Sequence, residues 1–245
     1  MGTTVPLKVA AKTAQKSIST CVKTASGFGG CNAAIVLSKQ PDKGEVNAEY
    51  GASYHTVREC KVERATITVD REQVFASEAM LDFPTFIREA YKTLGESGLK
   101  FYKMDDLAKL AYLAAEFLLK DIPFEPNDIG IVLANSSASL ATDIRHQHLI
   151  DKGGDAAASP SVFVYTLPNV AAGEVCIRHK IQGESTFFVA ENYDSERLER
   201  YARIAMQKQH LTYCIVGWCD FIDNHYIADF KLIQKVENGR ADIQA

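Results

Sequence analysis

The chain has 245 residues, 47% of them hydrophobic and 24% charged, with a net charge of −4. That length accommodates one large or two modest domains, the composition excludes a disordered chain, and mild acidity without a concentrated basic face excludes general affinity for nucleic acid. No run approaches the ~20 apolar residues of a membrane helix, and the amino terminus lacks an apolar secretory core. The six cysteines, at 21, 31, 60, 176, 214 and 219, are dispersed and show no zinc-ribbon spacing, so reduced thiols in a cytoplasmic protein are expected. In chain order, residues 17–37 predict a small hairpin, and residues 41–59 a connector in which turn formers and charges gather between apolar segments. The main domain, residues 60–245, opens with Val62, Arg64, Thr66 and Thr68 alternating with Glu63, Ala65, Ile67 and Val69, the two-residue period of a strand.

Asp82-Phe83-Pro84 places proline early in a helix, where its missing N–H costs nothing. The clearest helix follows: Leu107, Leu110, Ala111, Ala114, Phe117 and Leu118 recur at three and four residues, Asp105 and Asp106 favour its positive end, and Pro123 limits it. Residues 129–134 form a short apolar run of the kind expected for an internal parallel strand. Residues 185–190 and 213–216 read the same way, and residues 225–233 alternate as a last strand after the Asp223-Asn224 turn. Helices alternating with such strands predict a layered α/β architecture.

Several motifs add a resemblance. Pro168-Asn169-Val170-Ala171-Ala172-Gly173-Glu174-Val175, then Gly183 and the strand-like Ser185-Thr186-Phe187-Phe188-Val189-Ala190, lead into Glu191-Asn192. This run is similar to the β-ketoacyl synthases, condensing enzymes of the thiolase-like fold that extend acyl chains on an acyl carrier protein. Met104-Asp105 with the helix after it, Asp128-Ile129-Gly130 with its strand, and Val216-Gly217-Trp218-Cys219-Asp220 extend the resemblance over about residues 100–235. A second piece, Ser26-Gly27-Phe28-Gly29-Gly30-Cys31-Asn32-Ala33, resembles the family's Gly-Phe-Gly-Gly loop, which there lies near the carboxyl end. Two origins fit: a rearranged or fused relative, or residues 1–40 repeating the tail of a neighbouring synthase. The resemblance implies a thiolase-like half-domain, αβα in layers around a mixed sheet, preceded by the small amino-terminal hairpin, with residues 60–245 as the synthase amino-terminal-like domain.

The resemblance also says what is lacking. The family attacks its acyl thioester with a cysteine thiolate at the amino end of a helix, holds the oxyanion with backbone N–H groups and uses two histidines for decarboxylation. Asn192 stands at the position of that cysteine, and an amide cannot carry an acyl group as a thioester. None of His55, His146, His148, His179, His210 and His225 has the family's His-Gly-Thr or Gly-His context. Phe28 matches the gating phenylalanine, and Phe28, Gly29 and Gly30 are the remnant of the pocket and oxyanion loop. The helix after Asn192 has Leu198, Tyr201, Ala202 and Ala205 on one face and Glu196, Glu199, Arg200 and Arg203 on another. Burying those charges between two sheets would cost several kcal/mol each unless all were paired, so this helix is expected to face solvent or a partner.

Plainer readings stand beside these. Asn192, Asp194 and Ser195 are all good helix caps, and Cys176 and Cys219 are expected as core residues. His146 and His148 would share a face on a strand, but no further ligand is nearby, and neither metal nor cofactor is expected. The expected function is therefore a non-catalytic, chain-length-factor-type relative of β-ketoacyl synthase in fatty-acid or polyketide-type chain assembly. It would form a homo- or heterodimer, with an active synthase and an acyl carrier protein as partners and residues 185–190 as the pairing edge. Two alternatives remain open: an active synthase or acyltransferase completed by a partner's catalytic residues, and a binding module for an acyl group or acyl carrier protein.

Overall fold

A computed structural model describes residues 17–26, 32–39, 52–77, 82–95, 98–223 and 225–236. The chain divides into two units, Met1–Tyr50 and Gly51–Ala245. In the first, strands β1 (Thr20–Ser26) and β2 (Asn32–Ser38) pair antiparallel, with Thr20 opposite Ser38 and Ser26 opposite Asn32. This is the expected hairpin; its connecting loop, including Phe28, Gly29 and Gly30, lies outside the described residues.

The second unit is built on a seven-stranded mixed sheet in the order β5-β4-β3-β9-β8-β6-β7. Its strands are β3 (Ser53–Glu63), β4 (Thr66–Val69), β5 (Glu72–Ala76), β6 (Ile129–Asn135), β7 (Ser185–Val189), β8 (Tyr213–Ile222) and β9 (His225–Val236). β6 is parallel to both β7 and β8, whereas β8–β9, β9–β3, β3–β4 and β4–β5 are antiparallel. All seven residues of β6 are buried, as expected of an internal parallel strand covered on both faces. Its side chains alternate between two cores. Ile129, Ile131 and Leu133 join one apolar cluster, and Val132 and Ala134 join the other.

The first core is filled by α1 (Phe83–Thr93), α2 (Leu99–Lys103), α3 (Asp106–Leu119) and α6 (Asn169–His179). α3 is buried almost all round: Ala108, Leu110, Ala111, Leu113, Ala114, Ala115 and Leu118 have no exposed surface. Such a helix belongs in the middle of a layer. On the opposite face of the sheet, α7 (Ser195–Gln209) buries Leu198, Ala202, Ala205 and Met206 and leaves Glu196, Arg197, Arg200 and Arg203 exposed. The layered αβα half-domain is thus observed, with the amphipathic α7 that its sequence implied.

Two expectations need correction. Residues 53–59 are not connector: β3 starts at Ser53 and pairs with β9 along its length, Ser53 opposite Val236 and Glu63 opposite Ile227. The alternating stretch from Val62 to Val69 is not one strand but two, folded back at Arg64-Ala65, whose φ angles are 47° and 58°. Two consecutive positive φ values form the twisted two-residue hairpin turn that usually requires Asn-Gly. Here the Ala65 N–H donates to Tyr226 Oη at 2.8 Å, a tertiary hydrogen bond that holds the turn without glycine.

α4 (Leu140–Gly153) is tied to α3 through Asp105. This buried carboxylate caps α3 by accepting from the Ala108 N–H at 2.8 Å, and accepts from Thr142 Oγ1 at 2.7 Å. Burial pushes Asp105 above the usual 3.8, against the two hydrogen bonds that favour its ionised form. A raised folded-state pKa contributes stability that is complete below 3.8 and is lost as pH rises through the folded value. The stability of the native protein relative to Asp105→Asn should therefore fall as pH climbs from 3.8 towards the folded value. Urea midpoints of the two proteins from about pH 4 to about pH 7 check this; a constant difference contradicts it.

Candidate functional site

The polypeptide leaves β7 at Val189, and the Ala190 N–H donates to the Asn135 carbonyl at 2.8 Å, so the carboxyl ends of β6 and β7 are locked together. Asn192 lies two residues further on, exposed in the turn that leads to α7. It does not cap the helix. Asp194 does, accepting from the Arg197 N–H at 3.0 Å. Asn192 thus lies between strand and helix, in the turn from β7 to α7, with a different residue closing the helix end.

Beside this turn lies a cleft of ≈ 430 Å³ between the end of β7, the first turns of α7 and β8. Its floor is apolar, formed by Ala134, Leu198 and Trp218. Phe188 and Tyr201 meet edge to face on one wall, centroids 4.9 Å apart. Tyr201 is held by its hydroxyl, which donates to Glu184 Oε1 at 3.1 Å; Glu184 also accepts from Thr186 Oγ1 and Gln209 Nε2, each at 2.5 Å. Glu184 therefore fastens the start of β7 to α7 and stays outside the cleft chemistry. At the rim stand Asn192, Asp194, Arg197 and Arg200.

A second feature sits at the carboxyl ends of β6 and β8, where the chain's connections turn in opposite directions and open sheets commonly hold ligands. The backbone N–H groups of Ser136 and Ser137 each donate to the Asp220 carboxylate at 3.3 Å, and Ser136 Oγ donates to Asp220 Oδ2. Ala138 takes a φ of 49°, with Asn135 bridging the turn by accepting from its N–H and donating to its carbonyl. Such a backbone nest binds anions. In this chain it is filled by the protein's own carboxylate.

No histidine lines the cleft beside Asn192. His146 and His148 are on α4, not on a strand, so their spacing of two puts them on different sides of the helix. Among the described residues no group of three or more His, Cys, Asp or Glu side chains is arranged to hold a metal. Cys219 is buried in the core and Cys176 half-buried. Burial pushes the Cys60 thiol up to about 12 and those of Cys214 and Cys219 upward too, the opposite of what a nucleophile needs. No helix among the described residues is long and apolar enough to cross a membrane.

No protein-family model and no curated protein sequence matches the chain. Solved structures do match in fold. The ishigamide ketosynthase/chain length factor superposes with a TM-score of 0.59 at 17% identity, over 77% of this chain and 63% of that one. A ketosynthase in complex with its chain length factor from Xenorhabdus doucetiae gives 0.50 at 11% identity, over 76% and 80%. A type II polyketide acyl-carrier protein in complex with its ketosynthase gives 0.52 at 12% identity, over 74% and 62%. The chain thus spans less than two thirds of the first of these, and what it shares with them is the thiolase-like half-domain fold.

Proposed function

We propose that this chain is a non-catalytic, chain-length-factor-type subunit that works beside an active β-ketoacyl synthase and an acyl carrier protein in polyketide- or fatty-acid-type chain assembly. The observation that carries this reading is Asn192. It lies in the turn between β7 and α7, and on this reading its amide stands where a synthase would carry the attacking thiol. Two further features support it. The exposed charges of α7 do not suit a helix enclosed between two sheets, and β7 is an edge strand with no partner on its outer side among the described residues. The structural neighbours named for a ketosynthase with its chain length factor or with its acyl-carrier protein make that class of partner the natural one. Residues 1–40 would then derive from the carboxyl-terminal segment of such a synthase.

The purified chain, incubated with an acyl-loaded carrier protein and a malonyl-loaded one, should carry no acyl group by intact-protein mass spectrometry and release no β-keto product. Asn192→Cys should not confer condensation either, because a thiol on this exposed turn has none of the six histidines beside it. Turnover by the unaltered chain alone would overturn the proposal; turnover by the cysteine variant alone would show that the remaining machinery is intact. Co-expression with an active synthase should yield a complex that co-elutes on size exclusion.

A further inference from the structure

We infer that the cleft between β7, α7 and β8 is a binding site for a free organic carboxylate with an apolar body. This stands on the cleft alone and does not depend on the reading above.

A volume of ≈ 430 Å³ falls within the range of small-molecule sites, which are mostly apolar with a few placed polar groups. The apolar part is fixed. Trp218 is 7% exposed and Leu198 6%, and the Phe188–Tyr201 pair cannot turn into the space without breaking the Tyr201–Glu184 hydrogen bond. The polar part is two guanidinium groups. Arg197 and Arg200 are three residues apart on α7, so both rise from one side of the helix at the cleft rim. On the neighbouring stretch of the same helix, Glu199 accepts from Arg203 at 3.1 Å and pairs with Lys231 at 3.0 Å. Arg197 and Arg200 have no such ion pair among the described residues. The one carboxylate at the rim, Asp194, is engaged as the helix cap.

The chemistry of the occupant follows from this division. Guanidinium groups offer paired N–H donors that match a carboxylate, while the apolar floor favours a hydrocarbon body and offers nothing to a second charge. A thioester lacks the anionic end that the rim selects, so the ligand is a free acid and not a carrier-bound acyl group.

Octanoate serves as probe. Trp218 is the only tryptophan in the chain and lies on the cleft floor, so its emission reports occupancy directly. Octanoate should change that emission saturably, and octanamide, of the same shape without charge, should bind about 10-fold more weakly or worse. The double variant Arg197→Ala/Arg200→Ala should lose a comparable factor, whereas Arg203→Ala should bind as the unaltered protein does. All three positions are exposed, so none of these changes threatens the fold. Equal binding of octanoate and octanamide, indifference to the double variant, or no saturable response each overturns the inference. The proposed subunit role would survive any of these, since it is tested by acyl loading and complex formation.

Discussion

Gly217→Ala should lower the stability of the domain by about 3 kcal/mol, seen as a lower urea midpoint at unchanged m-value. Gly217 lies inside β8, opposite Leu133 on one side and Phe230 on the other. A Cβ built there would fall on the Asp229 carbonyl oxygen, 2.6 Å from Phe230 Cδ1 and 2.9 Å from Phe230 Cα. Two of these three obstacles are backbone of a strand hydrogen-bonded along its whole length, so no rotamer change relieves them. Moving β9 outward would disturb its pairing with both β8 and β3, the most extensive in the sheet. Overpacking a well-packed core typically costs about 1–3 kcal/mol; here, with backbone as the obstacle, the upper end is expected, and a bulkier Val should prevent folding. A loss below about 1 kcal/mol would mean that β8 and β9 can separate at this point, contrary to the register described.

The same residue shows how far the amino-acid pattern could be read. The glycine in Val216-Gly217-Trp218 was expected where a strand ends, but β8 continues for five residues beyond it, to Ile222. What demands glycine is the close approach of β9, a contact invisible to local pattern. Elements carried by their own periodicity were legible: α3, because its apolar positions recur at helical spacing; β6, because a short two-sided apolar run suits an internal strand; α7, because its charges and apolar residues separate cleanly. α4 was not, since among its residues only Thr142 is buried and it therefore has no apolar stripe to read. The Arg64-Ala65 turn was hidden because its stabilising partner, Tyr226, lies 161 residues away. At the site, the strand of residues 185–189, the turn holding Asn192 and the helix after it were legible because they lie in one contiguous stretch. The Ser136–Asp220 closure, 84 residues apart, and the two arginines over an apolar floor depend on which elements meet, and no spacing in the chain announces that.

Val189→Pro should abolish assembly with the proposed synthase partner, weakening it at least about 100-fold, while leaving the fold nearly as stable. The Ala190 N–H points inward, to Asn135; by the alternation of a parallel strand, that of Val189 points away from β6, towards the open edge. Proline there removes a donor that has no strand partner among the described residues, and edge strands tolerate it. A partner strand adding to β7 would lose one hydrogen bond and meet the pyrrolidine ring in its path. With only five residues in β7, of which Ser185, Phe187 and Val189 turn their N–H groups to the open edge by the same alternation, a block at the last of them leaves no register in which a full ladder forms. Val189 is 57% exposed, so little packing is lost within the domain. Analytical ultracentrifugation of the mixed proteins separates the outcomes. A variant that folds, by an unchanged urea midpoint, and no longer co-sediments with the synthase places the interface on β7. A variant that folds and still assembles would move the interface elsewhere, and the exposed face of α7 would become the surface to test.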